Sequence, residues 1–343
     1  MDRRGKALML GGLVLLTVST GYAMYEALPS ILETSYEAEL GRGAVGGVTA
    51  PAEVRVVTHL STPEPVKALY MTACVAATPT WRSELKSVIE SSELNAVVID
   101  IKDSTGTISF PSGLENGGRG CVAKDMQDFI MALHDSEIYV IGRISVFQDP
   151  YYTLLHPELA VRSKSTKDVW KDHKGLSFID VGATPYWERI VSLGKAAYEI
   201  GFDELNFDYV RYPSDGDMRD ASFMWTGTST KAEMLESFFS YMQNHLQDPE
   251  AEILEEEPVL SVDLFGMTTT VTTDMGIGQV LERTLPYFDY IAPMVYPSHY
   301  PVGWHGFANP AAHPYEVVSI AMAEGRKREM ALNVAMGRAT STP

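Results

Sequence analysis

Between Lys67 and Ala323 a short apolar run is followed by an amphipathic stretch six times over, the pattern of repeated βα units and a parallel sheet. The strand candidates are Lys67 to Val75, Asn95 to Lys102, Ile138 to Val146, Glu204 to Arg211, Val259 to Phe265 and Tyr290 to Tyr296. The helix candidates between and after them are Trp81 to Leu94, Val122 to Asp135, Pro185 to Ile200, Lys231 to Leu246, Gly278 to Leu285 and Tyr315 to Ala323. Six such units in a row favour a barrel over a Rossmann fold. No GxGxxG follows the first strand and no GxxxxGK[ST] occurs anywhere, so dinucleotide and P-loop readings lose their best support. The expected fold class is therefore α/β, a (β/α)8 TIM-barrel-like domain. Its count is short. The 47 residues after Tyr296 hold the sixth helix and at most one more strand, Met330 to Met336, so the barrel is expected to lack its last one or two βα units.

Two segments precede the barrel. Arg3, Arg4 and Lys6 lead into 17 uncharged residues from Ala7 to Ala23, longer than an ordinary signal-peptide core and shorter than a full span of about 20 residues. Residues 1–25 are read as a signal peptide, with Gly21-Tyr22-Ala23 offering a cleavage site, or as an uncleaved membrane anchor. Residues 26–65, rich in Ala, Gly, Pro, Thr and Glu, are read as a flexible linker, and 66–343 as the C-terminally incomplete barrel. This organisation predicts export to the cell envelope, either anchored facing outward or secreted.

Charge narrows the partners. With 27 Lys+Arg against 45 Asp+Glu the chain carries −18 at pH 7, which argues against nucleic acid, since phosphate binding relies on clustered cations. The two cysteines, Cys74 and Cys121, allow one bridge at most and form no zinc-ligand pattern. Cys74 reads as a packed core thiol rather than a nucleophile, because no His lies near it in sequence. No metal and no cofactor are expected.

Polar residues on the strands point to chemistry. A barrel strand turns alternate residues inward, and the last of these before the loop form the floor of the active site. In ELNFDYVRYP the outward set is Leu205, Phe207 and Tyr209, leaving Glu204, Asn206 and Asp208 inside. In LSVDLFG the same alternation turns Ser261 and Asp263 inward, on the next strand. VVIDIKD brings Asp100 and Lys102 to one face, VIGRISV offers Arg143, Arg211 ends strand four, and Tyr296 and His299 stand at the end of strand six. Two carboxylates on neighbouring strands are the minimum equipment for glycoside hydrolysis, one protonating the leaving oxygen while the other attacks or stabilises the oxocarbenium-like centre. Asp208 and Asp263 are the catalytic candidates. Asp100, Lys102, Arg143, Asn206, Arg211, Tyr296 and His299 are candidate substrate-binding residues.

The stretch from Phe147 to Gly182 is too long for an ordinary connector and carries Tyr151, Tyr152, Trp170 and Phe178 among polar residues. Aromatics beside a polar cleft suit sugar rings, which adds Trp170 to the substrate-binding candidates. Asp215, Asp217 and Asp220 lack the spacing of an EF-hand loop and read as a solvated loop. GIGQ at 276–279, after Asp274, reads as a capped helix start.

The stretches AVVIDIKDSTGTISF, GRISVFQDPYYTLLHPELAV, GFDELNFDYVRYPSDG, VDLFGMTTT with DMGIGQ, and IAPMVYPSHYP followed by PYEVV resemble a bacterial and archaeal family of glycosyl hydrolase domains, barrel relatives of the α-amylase-type hydrolases. The resemblance covers roughly residues 66–323 and implies a (β/α)8 barrel, export to the cell envelope and a carbohydrate substrate. Amylase-type barrels carry an Asp nucleophile at the end of strand four, which Asp208 matches, and a Glu acid/base at the end of strand five, where this chain has Asp263. They also take a third carboxylate from strand seven, which the incomplete barrel is expected to lack.

The function expected is glycoside hydrolysis of an envelope or extracellular polysaccharide by a two-carboxylate mechanism. The alternative is a non-catalytic carbohydrate or cell-wall binding barrel that keeps the cleft without the chemistry. A metal-assisted deacetylase is the weakest reading, because the eight His are scattered. The N-terminal segment, if uncleaved, makes the membrane a second partner.

Overall fold

A computed structural model describes residues 57–247 and 257–338 of the protein. The basic and apolar segment read as a signal or anchor, and most of the tether, lie outside the described residues. Residues 57–62, at the end of the stretch read as a tether, lie against the following domain. The Leu60 N–H donates to Asp203 Oδ1 at 2.7 Å, and Thr62 Oγ1 shares a hydrogen bond of 3.0 Å with the Tyr139 hydroxyl. No helix among the described residues is long and apolar enough to cross a membrane.

Six strands form one parallel sheet: β1 (Ala68–Met71), β2 (Ala96–Lys102), β3 (Tyr139–Ser145), β4 (Glu204–Asp208), β5 (Val259–Phe265) and β6 (Tyr290–Met294). Each pairs with the next in the chain, in the order β1-β2-β3-β4-β5-β6. A doubly wound fold reverses strand order at a switch point, whereas an unreversed sequential order is the order of a barrel. The architecture is thus a parallel α/β half-barrel of six strands. Among the described residues β1 and β6 do not pair, and their side chains Tyr70 and Tyr290 are 50% and 43% exposed along the open edges.

Five long helices follow the strands: α1 (Pro79–Glu90), α2 (Met126–His134), α3 (Thr184–Glu199), α4 (Lys231–Leu246) and α5 (Pro314–Ala335). The residues that start them are legible. Thr230 and Glu233 close a capping box that sets the first turn of α4, and proline stands in the first turn of α1, α3 and α5. The outward set of β4 and β5, Leu205, Phe207, Val262 and Leu264, is fully buried in one core with Tyr186 and Trp187 of α3 and Phe238 and Phe239 of α4. Helix and sheet therefore meet through the apolar alternation, and the polar alternation is left for the concave face.

Three expectations are corrected. Met330 to Met336 is not a strand. Residues 314–335 form one helix, since EGRKREMALN contains good helix formers and no proline. Strand one stops at Met71, because Thr72 caps a short helix Ala73–Ala76. That helix carries Cys74, which is neither a core thiol nor a nucleophile but bridges to Cys121, 47 residues away, with the Cα atoms 4.8 Å apart. The bridge ties the segment after β1 to the segment after β2. Closing a loop of that length is expected to stabilise the fold by about 2–4 kcal/mol. Reduction, or the Cys74→Ser/Cys121→Ser pair, is therefore expected to lower the thermal midpoint by several degrees in calorimetry, with no loss of the six-stranded sheet in far-ultraviolet circular dichroism.

Candidate active site

At the C-terminal end of the sheet, register brings charged side chains from four strands to one layer. Asp100 of β2 pairs in register with Arg143 of β3, Arg143 with Asn206 of β4, and Asn206 with Ser261 of β5; Asp208 and Asp263 stand one inward position further along their strands. Arg143 is the hub. Its Nη1 donates to Asp100 Oδ1 at 2.6 Å, its Nε donates to Asp208 Oδ2 at 3.1 Å, and its Nη2 also donates to Asp208 Oδ2. The same Nε lies 3.9 Å from Asp263 Oδ2. Both distances start from one nitrogen, so the two carboxylate oxygens are no more than about 7 Å apart, the sum of the two.

The two aspartates differ in their surroundings. Asp208 also accepts from the Tyr209 N–H, 2.5 Å from its Oδ1, so it receives three charge-assisted or backbone donors. Tyr209 holds a left-handed backbone with φ +53°, a conformation costly for a bulky residue and common where a site needs an exact chain direction. Asp263 accepts one close bond, from Asn206 Nδ2 at 3.1 Å. Burial, and after it the charge on Asp208, push the Asp263 carboxyl up to about 7. Three carboxyl groups thus face one guanidinium, and the least compensated of them is the one that keeps a proton.

Arg143 resolves this crowding only in part. Burial works against its charge, but the carboxylates of Asp208 and Asp100 outweigh burial and raise its pKa. Asp100 is pushed up by burial, against the Tyr70 hydroxyl that donates to its Oδ2 at 2.6 Å and the Arg143 charge. The Arg143 guanidinium lies 5.9 Å from the centroid of the Tyr70 ring.

Two clefts meet at Asp208 and Arg143. One, of about 550 Å³, runs along the concave face past Glu204, Asn206 and Asp263 to Tyr290. The other, of about 570 Å³, lies beyond the strand ends among Arg211, Phe265, His299 and Tyr300, and Tyr296 borders both. Of the residues singled out in the sequence, Asp100, Arg143, Asn206, Asp208, Asp263 and Tyr296 come together, with Arg211 and His299 at the second cleft.

Lys102 and Trp170 do not join them. The pairing of β2 with β3 slips between Asp100 and Lys102, so that Lys102 partners Ile144 and turns to the opposite face from Asp100. There it is fully buried, donates to the Ser145 carbonyl at 2.5 Å and pairs with Asp149 at 3.1 Å; burial lowers its pKa despite that partner. Trp170 is buried with Val161, Phe178 and Ala221, its indole N–H donating to the Asp217 carbonyl at 3.2 Å. It fills a small core between its own loop and the loop after β4, where the two-residue strands Arg162–Ser163 and Ala221–Ser222 pair. Asp220 caps the same loop by accepting from Ser163 Oγ and the Ser165 N–H. Among the described residues no three His, Cys, Asp or Glu side chains are grouped to hold a metal.

Gln279 has a part the sequence reading missed. It is buried, its Oε1 accepts from the Phe265 N–H at 3.0 Å and its Nε2 donates to the Val210 carbonyl at 3.2 Å, so one side chain clamps the ends of the strands that carry Asp208 and Asp263. GIGQ places it: Gly276 and Gly278 take φ of +73° and +89°, and the turn they make inserts the glutamine. Tyr70 was also missed, because β1 shows no run of polar residues to mark it.

The model of a family described as "Putative glycosyl hydrolase domain" matches residues 68–338. Among solved structures, a hypothetical protein of Ruminiclostridium thermocellum is 30% identical, with the match covering 57% of this chain and 96% of that one at a TM-score of 0.48. An α-galactosidase of Thermus thermophilus matches at 10% identity over 79% of this chain and 50% of its own, with a TM-score of 0.47. A noncanonic maltogenic α-amylase of Thermotoga neapolitana matches at 12% identity over 67% and 49%, with a TM-score of 0.42. No curated protein matches the chain.

A carboxyl whose pKa is higher folded than unfolded favours the fold at low pH and loses that advantage as pH rises through its folded value. Asp263 is such a group, raised from 3.8 to about 7. Asp263→Asn removes the dependence. The thermal midpoint of the variant, relative to the parent chain, is therefore expected to climb between about pH 4 and pH 7, as scanning calorimetry at matched ionic strength would read.

Proposed function

Because the chain belongs to the glycosyl hydrolase domain family, we propose that it cleaves glycosidic bonds with two carboxyl groups, Asp208 as nucleophile and Asp263 as acid and base. The observation that carries this reading is the pair of carboxyl groups on adjacent strand ends, about 7 Å apart at most, with one held by a guanidinium and the other kept protonated near neutral pH. A retaining pair stands about 5–5.5 Å apart and an inverting pair about 6.5–9.5 Å, so the upper bound is compatible with retention and excludes most of the inverting range.

The steps follow. Asp263 gives its proton to the glycosidic oxygen as the bond from that oxygen to the anomeric carbon breaks. Asp208 forms a bond to the anomeric carbon from the opposite face, giving a glycosyl ester. Asp263, now ionised, takes a proton from water, whose oxygen attacks the anomeric carbon and releases Asp208. Arg143 orients Asp208, and its charge steadies Asp263 while that group is ionised. Asp is one methylene shorter than the Glu found at this place in amylase-type barrels, and the Asn206 contact holds its carboxyl at the strand end.

We place the reaction outside the cytoplasm, on an envelope or extracellular polysaccharide. The Cys74–Cys121 bridge supports this, because structural disulfides persist in oxidising compartments, and so does the basic-then-apolar N-terminus.

Hydrolysis of a panel of peptidoglycan, α-glucan and β-glycan substrates tests the reading. Asp208→Asn is expected to lose at least about 10³-fold in kcat, about 4 kcal/mol of transition-state stabilisation. In the parent enzyme activity is expected to fall as pH rises through about 7, where Asp263 loses the proton it must donate. Sugar binding without turnover in the parent chain, unaffected by either aspartate substitution, would instead support a binding barrel.

A further inference from the structure

The second cleft holds a cation that the hydrolytic reading does not use. Arg211, after β4, is buried, and its Nη1 donates to the Tyr212 carbonyl and to Ser214 Oγ, both at 3.2 Å. Its counter-charge is loose: Asp215 Oδ2 lies 3.7 Å from Nη2 and belongs to a side chain 64% exposed. Two rings flank the guanidinium, Phe265 with its centroid at 5.0 Å and Tyr209 at 5.4 Å. Burial lowers the Arg211 pKa in spite of Asp215 and the other anions around it. A chain of net charge −18 has carboxylates to spare, yet the one ion pair this guanidinium makes among the described residues is with the largely exposed Asp215.

Tyr300 supplies the second, independent observation. Its ring is buried and lines the same cleft, and its hydroxyl has no hydrogen-bond partner among the described residues. A buried hydroxyl without a partner is costly, so such a group calls for a partner from outside the chain. The hydroxyl lies against Gly266, next to the Phe265 ring that Arg211 covers: a Cβ at Gly266 would stand 2.6 Å from it. Glycine at that place lets the Tyr300 hydroxyl and the Met294 carbonyl approach the chain closely.

We propose that Arg211 and Tyr300 form a subsite for the carboxylate of a hexuronate residue, which sets the substrate class as an acidic glycan. A planar guanidinium matches a planar carboxylate bidentately, and a phenol hydroxyl adds a third donor. A single cation answers a single negative charge, whereas a phosphate dianion calls for more. Asp208 and Arg143 border the same cleft, so a uronate seated at Arg211 belongs to the chain being cleaved. This rests on the glycosidase reading for the cleavage, but the recognition stands on its own geometry.

Calorimetric titration of the full chain carrying Asp208→Asn, which cannot turn over, with oligogalacturonides and oligoglucuronides and with their methyl esters tests it. Esterification removes the charge and keeps the shape. The acid is expected to bind at least about tenfold more tightly than the ester, as suits hydrogen bonds to a charged group. Adding Arg211→Gln should erase that preference, Arg211→Lys should keep part of it, and Tyr300→Phe should weaken the acid more than the ester. Equal binding of acid and ester, a preference that survives Arg211→Gln, or no binding of any uronide overturns the proposal. Hydrolysis of neutral glycans by the parent chain without acid preference overturns it while leaving the glycosidase reading intact. Acid-selective binding with no hydrolysis by the parent chain upholds it and overturns that reading.

Discussion

One guanidinium among three carboxyl groups is the constraint around which the concave face is arranged. Arg143 reaches Asp100 on β2, Asp208 on β4 and, at longer range, Asp263 on β5. Arg143 and its partners thus span four adjacent strands in a sheet whose outer face is held mainly by packing. Buried charges add little net stability, because desolvation offsets the attraction between them. Stability comes from the apolar outer face, where Leu205, Phe207, Val262 and Leu264 meet α3 and α4, and that surplus sustains a crowded polar layer inside. Removing Arg143 would leave three carboxyl groups in mutual repulsion, so the same residue is structural and electrostatic at once.

A second buried cation shows how narrowly the layer is defined. Lys102 lies two residues from Asp100, and regular alternation would add its charge to the cluster. The slip in pairing between β2 and β3 turns it to the other face, where Asp149 and two carbonyls receive it. Tyr186 donates to the same Asp149, and Asp149 also caps the short helix that follows β3. Lys102 therefore braces the chain where it leaves β3. Had it joined Arg143, two cations would balance the acids and Asp263 would have less reason to hold a proton. A single bulge separates the charge that shapes the site from the charge that supports the loop.

What the sequence made legible follows from periodicity. Alternation in ELNFD and LSVDLF placed Asn206, Asp208 and Asp263 on one face because both strands keep strict period two over their whole length. The same rule failed in β2, since a bulge has no composition of its own and depends on the neighbouring strand. Trp170 misled because a long aromatic loop between strand and helix fits both a sugar platform and a small packed core; the two-residue strands that meet there are too short to show a period. Gln279 and the disulfide stayed hidden for another reason. Each joins segments far apart in sequence whose proximity exists only once the strands are ordered, so no local pattern announces them.

Two aspartates at equivalent places on adjacent strands would be interchangeable if residue type decided the chemistry. Environment separates them. The left-handed turn at Tyr209 aims a backbone N–H at Asp208 and Arg143 supplies two more donors, whereas Asp263 receives a neutral amide and the field of its neighbour. Each group also sets the other: the charge on Asp208 is one cause of the raised Asp263 pKa, so neutralising Asp208 by forming an ester would ease Asp263 toward ionisation. In a retaining sequence that is the direction required, because the group must be an acid before the ester forms and a base while it is hydrolysed. In the proposed mechanism, the repulsion between the two carboxyl groups would thus favour the exchange of roles between them.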